Sequence, residues 1–266
     1  MLITLYQKLL YSFFFAICIS LIFSFSSCKQ YFYLADQQVS YQTIDSLATA
    51  DTEMLQLIAP YKKKLATEMN VMIGLSTMDL PKARPESLLG NFVADAIFEV
   101  AQQKTTDTID CSISNYGGLR IPNLAAGQIT KGDIFELMPF DNMLVIVELD
   151  SSKTMQFFQH IAANGGWPVS KHIKMNIDSL GNMQQLLIND STLTSQKNYR
   201  ILTSDYVANG GDKCAFLKEE KQTDLDLFFR DAIMQYVEQQ SKQGAMISAE
   251  LENRISLSQQ TTDENE

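Results

Sequence analysis

Two strand-like runs that each end on paired glycines constrain this chain more than any other feature. Thr108-Ile-Asp-Cys-Ser-Ile113 alternates apolar and polar residues, as a half-buried strand does, and breaks into Ser114-Asn-Tyr-Gly-Gly-Leu-Arg120. Asn198-Tyr-Arg-Ile-Leu-Thr-Ser-Asp205 is a second such run and breaks into Tyr206-Val-Ala-Asn-Gly-Gly-Asp212. Glycine is needed where φ must be positive, or where another group must come close to the main chain. The first break also carries an arginine, whose planar donor fork suits carboxylates, phosphates or a ring face. Taken alone, either break is an ordinary turn, and the rest of the chain decides what it is for.

Around these runs, helices and strands follow one another without a strict βαβ rhythm. Asp51 to Met69 has helical spacing interrupted by Pro60, as one kinked helix or two short ones. Val71 to Leu75 is a short strand. Ser87 is placed to cap a helix over Leu88 to Gln103, whose Leu89, Phe92, Val93, Ala96, Ile97 and Val100 trace one apolar face. Thr130 caps a short helix over Asp133 to Leu137, and Pro139-Phe-Asp-Asn142 leads into a strongly β-prone strand, Leu144 to Leu149. Ser151 or Ser152 caps a helix over Lys153 to Ala163. Gly181-Asn182 turns Ile173–Ile177 back into Leu186–Ile188 as a hairpin, and Asp224 to Gln243 reads as a last long helix. The pattern predicts an α+β fold, with mixed β-sheets flanked by helices, over residues 51–257.

The ends of the chain are of another kind. Lys8, an apolar run from Leu9 to Phe25 and then Ser26-Ser27-Cys28 make a secretory signal of the bacterial lipoprotein type, residues 1–27, with Cys28 as the lipidated residue. The protein is then expected outside the cytoplasm, anchored to the bacterial membrane through that lipid. Residues 28–50 read as a tether leading into an edge strand, and 258–266 as a disordered acidic tail. Cys111 and Cys214 could pair in an oxidising compartment or stand as buried thiols. The net charge of −10 offers no surface for a phosphate backbone, so nucleic acid is not an expected partner.

Several kinds of chemistry are missing. His160 and His172 lie outside any metal-ligand spacing, and there is no G-x-S-x-G elbow, no P-loop and no carboxylate pair at catalytic spacing. What remains is a set of binding devices. Asn115, Gly118 and Arg120 supply amide, backbone and guanidinium donors, Phe140 and Tyr206 supply flat ring faces, and Asp212 supplies an acceptor able to hold two hydroxyls. Rings for a base, a carboxylate for a ribose diol and an arginine for a phosphate together suit a nucleoside or nucleotide.

Five segments then resemble, in order, the C-terminal substrate-binding domain of the 5′-nucleotidase family, which includes UDP-sugar hydrolases. They are Glu86 to Ala96, Ser114 to Arg120, Gly127 to Asp133, Met138 to Asn142 and Tyr206 to Asp212. The resemblance implies that Phe140 and Tyr206 sandwich the base and that Asp212 holds the ribose hydroxyls. It implies that Asn115, Gly118 and Arg120 line the pocket, with Arg84 the nearest candidate for a further phosphate contact. Tyr206 stands where the family usually has phenylalanine, and Lys213 where glycine is common. Family members also carry a metallophosphatase domain with two metal ions, whereas only the tether lies between Cys28 and the matching region. The implied function is the nucleotide-binding half of a split phosphohydrolase of nucleotide catabolism. Under that reading this chain holds no cofactor, and the divalent metals belong to a partner chain with the metallophosphatase domain. The alternatives are a free-standing nucleoside- or nucleotide-binding scavenging lipoprotein and a structural relic without a working pocket.

Overall fold

A strand that is apolar at almost every position needs cover on both faces, and Met143–Leu149 is such a strand. The computed structural model shows both covers. Leu144 and Ile146 point into one hydrophobic core together with Leu202, while Val145, Val147 and Leu149 point into a second with Tyr199 and Ile201. Period-two alternation thus splits one strand between two cores. The structure describes residues 50–258 and, before them, 7–8, 10–17 and 40–41. Residues 1–51 and 52–266 are separate units, and in the first the stretches 7–8 and 10–17 are helical and exposed. Cys28, the end of the expected signal, nearly all of the 28–50 tether and residues 259–266 lie outside the described residues. Among the described residues no helix is long and apolar enough to cross a membrane.

The second unit runs α1 (Thr52–Met69), β1 (Met72–Ser76), β2 (Leu80–Pro81), α2 (Leu88–Lys104), β3 (Cys111–Ser112), β4 (Asn123–Leu124), β5 (Gly127–Thr130) and α3 (Lys131–Leu137). It continues with β6 (Met143–Leu149), α4 (Ser151–Ala163), β7 (Ile173–Ile177), β8 (Met183–Ile188), β9 (Tyr199–Ser204) and α5 (Asp205–Ala208). It ends with β10 (Lys221–Phe228), α6 (Phe229–Lys242) and β11 (Ile255–Leu257). The first core packs the apolar faces of α2 and α6, and the second packs Phe157, Phe158 and Ile161 of α4 against β7 and β8.

Local chemistry explains most boundaries. The Ser87 side chain accepts from the Gly90 amide and caps α2, and Thr130 with Asp133 forms a capping box on α3. α1 is one helix through Pro60, with no buried residue. Three expectations need correction. The cap of α4 is Asp150, whose Oδ1 accepts from the Lys153 amide at 2.7 Å, rather than Ser151 or Ser152. A carboxylate there also meets the positive end of the helix dipole. Residues 224–228 are strand rather than helix, because Lys221–Asp224 pair with Val145–Glu148 on what would otherwise be an open edge of β6. Asp226, at φ 49°, lies in the irregular stretch before Phe228, and the helix starts only at Phe229. Finally, the strand expected over 108–113 shortens to Cys111–Ser112.

The sheets are mixed. One has the order β10-β6-β9-β3, with β3 parallel to β9 and the other pairs antiparallel. Another has the order β11-β7-β8, in which the expected β7–β8 hairpin is joined by a parallel β11. The first order has one consequence for function. Because β3 and β9 are parallel, they end at the same edge of the sheet. Because β6 is antiparallel to β9, with Leu144 opposite Ser204, β6 begins there too. Three connecting segments therefore meet at one place: 114–120 after β3, 138–142 before β6, and 205–213, which begins with α5, after β9.

Candidate functional site

These loops enclose a cleft of about 260 Å³. Six of the seven residues singled out from the sequence line it: Asn115, Gly118, Arg120, Phe140, Tyr206 and Asp212. Gly117 and Asn142, which lie inside the same motifs, complete the lining. Ligand clefts commonly form outside strand ends, where loops rather than ladders fill the space.

The floor is built around Asp212. Asn115 Nδ2 donates to its Oδ2 at 2.6 Å, and the Tyr206 hydroxyl donates to its Oδ1 at 3.0 Å. Its amide donates back to the Tyr206 oxygen at 3.2 Å, and its carbonyl lies 2.9 Å from His160 Nε2. Since a carbonyl only accepts, that imidazole nitrogen carries the proton. Every polar group of Asp212 is thus held, and the residue sits at φ 47°, ψ 38°. A carboxylate has room for about four hydrogen bonds, so each oxygen can still accept another donor. The glycines give these side chains space. A Cβ at Gly118 would come within 2.7 Å of Asn115 Oδ1, and one at Gly211 within 2.5 Å of the Tyr206 ring. Close approach, not positive φ, is what both positions require.

Phe140 also lines the cleft, and its ring centroid lies 4.8 Å from the Arg120 guanidinium carbon. Its loop is clamped from behind by Arg230, a nearly buried α6 residue. Arg230 donates to the Phe140 carbonyl at 3.3 Å and to Asp141 at 2.8 Å, and its guanidinium carbon sits 4.1 Å from the Phe135 ring centroid. Asp205 ties the segments bearing Phe140 and Tyr206 together, since its Oδ1 accepts from the amides of both Met143 and Tyr206. The supporting roles of Arg230, Asp205 and His160 were not read from the sequence, because each depends on at least one partner far away along the chain and follows no short motif.

The seventh candidate, Arg84, lies outside the cleft. Its guanidinium sits 4.0 Å from the Tyr116 ring centroid and donates to the Asn164 carbonyl. It lines a neighbouring depression of about 230 Å³ that meets the cleft at Gly117 and Asp212 and also holds Lys213. Lys82 Nζ lies 3.9 Å from the same tyrosine ring. Burial first, and then the charges of Arg84 and Arg120, hold the Lys82 ammonium below the ordinary lysine range. An acidic protein thus carries a local cluster of three cations beside this cleft, which suits an anionic group.

Among the described residues, no group of three or more His, Cys, Asp and Glu could hold a metal ion. Cys111 and Cys214 are free and buried, which decides between the two readings of them in favour of thiols. Burial, and then the Asp212 charge, push Cys214 up to about 12.

The pattern of the 5′-nucleotidase C-terminal domain matches residues 65–219, more than half of the chain. The chain belongs to this family. A 5′-nucleotidase of Vibrio parahaemolyticus is 27% identical over 173 residues, covering 62% of this chain and 30% of that protein. The trifunctional nucleotide phosphoesterase protein YfkN of Bacillus subtilis is 26% identical over 237 residues, 80% of this chain and 16% of that protein. The crystal structure of a 5′-nucleotidase precursor from Thermus thermophilus shares the fold, with a TM-score of 0.67 at 22% identity, over 76% of this chain and 42% of that one. This 5′-nucleotidase C-terminal domain therefore spans a third or less of the curated relatives it matches.

Proposed function

We propose that this chain is the nucleoside- and nucleotide-binding half of an extracytoplasmic 5′-nucleotidase-type phosphohydrolase. A separate metallophosphatase-domain protein supplies the metal ions and the hydrolytic step. Phe140 and Tyr206 stack on the base, Asp212 accepts from the ribose hydroxyls, and Asn115 with the Gly118 backbone shapes the floor. Arg120 meets the phosphate, with Arg84 and Lys82 adding positive charge alongside. Lipid on Cys28 holds the domain at the membrane. One observation carries the reading: a carboxylate fixed by an amide and a phenol lies in a single cleft with two aromatic side chains and an arginine. Family membership and the nucleotidase relatives support the substrate class.

Purified protein is expected to bind adenosine and AMP by calorimetry and to release no phosphate from AMP with Mn²⁺ or Zn²⁺ alone. Phosphate release is expected once a metallophosphatase-domain chain is added. Full hydrolysis of AMP by the protein alone would overturn the division of labour. Tight nucleoside binding without any gain in hydrolysis from a partner would favour a scavenging role.

A further inference from the structure

Tyr206 does two jobs in the cleft, and only one needs an aromatic ring. Its ring lies against the Gly211 backbone, so close that a Cβ there would be 2.5 Å from two ring carbons. Phenylalanine would fill that space equally well. The hydroxyl is a separate matter. It donates to Asp212 Oδ1 at 3.0 Å and accepts from the Asp212 amide at 3.2 Å. It therefore bridges the main chain and the side chain of a single residue.

That residue is one whose backbone needs holding. Asp212 and Lys213 follow Gly210, with φ values of 47°, 67° and 92°, so three of four consecutive residues occupy the left-handed region. Only the glycine does so without steric cost. Asn115 secures the other carboxylate oxygen at 2.6 Å, and His160 secures the carbonyl at 2.9 Å. Without the phenol, the Asp212 amide and Oδ1 would lose the partner they share, and Asn115 alone would be left to hold the carboxylate. The 45% exposure of Tyr206 shows that burial alone does not hold it in place.

We propose that the Tyr206 hydroxyl is a positioning group that aims the Asp212 carboxylate into the cleft. The preference of the site for ligands with a vicinal cis-diol over their dideoxy counterparts then depends on this hydroxyl. The inference rests on the nucleoside reading of the cleft and deepens it. The ring serves any base, whereas the hydroxyl serves the sugar only through Asp212.

The test compares full-length wild type, Tyr206→Phe, Asp212→Asn and the double variant, by calorimetry with adenosine and 2′,3′-dideoxyadenosine. Wild type is expected to favour adenosine. Tyr206→Phe should weaken adenosine binding by roughly five- to tenfold, as loss of one ordinary hydrogen bond implies, and weaken dideoxyadenosine binding by a clearly smaller factor, so that the preference for adenosine shrinks. In the Asp212→Asn background the same change should have little further effect on adenosine, because the two residues act as one unit. An equal loss for both ligands would mean that the phenol acts only through the ring, and would overturn the inference. So would an undiminished preference for adenosine in Tyr206→Phe. If wild type binds neither ligand, the nucleoside reading itself fails and this inference with it. A failure confined to the Tyr206→Phe comparison removes the inference alone.

Discussion

The two paired-glycine turns look alike in sequence and are held in place by different means. The first, 114–120, is fixed by main-chain hydrogen bonds: Ser114 to Pro168, Gly118 to Asn115, and Arg120 to Leu137. Neither of its glycines has positive φ. The second, 205–213, contains left-handed residues at Gly210, Asp212 and Lys213, and adds to its main-chain bonds (Asn209 to Asp205, Gly210 to Val207) those of the side chains of Asn115, Tyr206 and His160. The first turn is a rigid ledge. The second is a strained loop whose orientation is set by the groups around the ligand cleft, and strain of that kind tends to accompany function.

This contrast can be broken by mutation. Gly211→Ala should have the largest effect, since the new Cβ would meet both the Tyr206 ring and the Tyr206 carbonyl at 2.5 Å. Overpacking against backbone is expected to cost about 1–3 kcal/mol in urea unfolding and to remove measurable adenosine binding. Asp212→Ala should come next, lowering adenosine affinity roughly thirtyfold, or about 2 kcal/mol, with little change in the unfolding midpoint. Gly118→Ala should be milder in stability, under about 1 kcal/mol, because the obstacle at 2.7 Å is the movable Asn115 side chain. It should still weaken binding, by freeing Asn115 from Asp212. Lys213→Gly should have the smallest effect and the opposite sign. It relieves the left-handed φ of 67° and is expected to raise stability by about 0.5 kcal/mol, leaving binding intact. If Gly118→Ala proved as disruptive to folding as Gly211→Ala, the distinction between ledge and strained loop would not stand.

The glycine near-clashes also mark how far a sequence can be read. Asn115, Gly118, Arg120, Phe140, Tyr206 and Asp212 were legible because each is a chemically suitable residue at the end of a strand-like run. Their convergence was legible only through the family resemblance and not from the local pattern. It depends on a parallel pairing between β9 and β3, whose strand is two residues long and carries too little periodicity to be assigned to a partner. Residues 224–228 misled for a related reason: their helical spacing yields to the unpaired edge of β6, a feature that exists only once the sheet has formed. Arg84 shows the limit of spacing in a loop. It is near the site in sequence, yet it stacks on Tyr116 in the adjoining depression. Lys213 is the reverse case, a departure from the expected glycine that the fold accommodates by holding a lysine in glycine's conformation.

The central claim is that Phe140 and Tyr206 form two walls of a nucleoside site, and calorimetry on the Phe140→Ala/Tyr206→Ala double variant tests it most directly. Base stacking on an aromatic side chain contributes about 1–3 kcal/mol, so removing both walls should abolish adenosine binding at concentrations where wild type is saturated. Adenosine binding that survives unchanged in the double variant would contradict the claim.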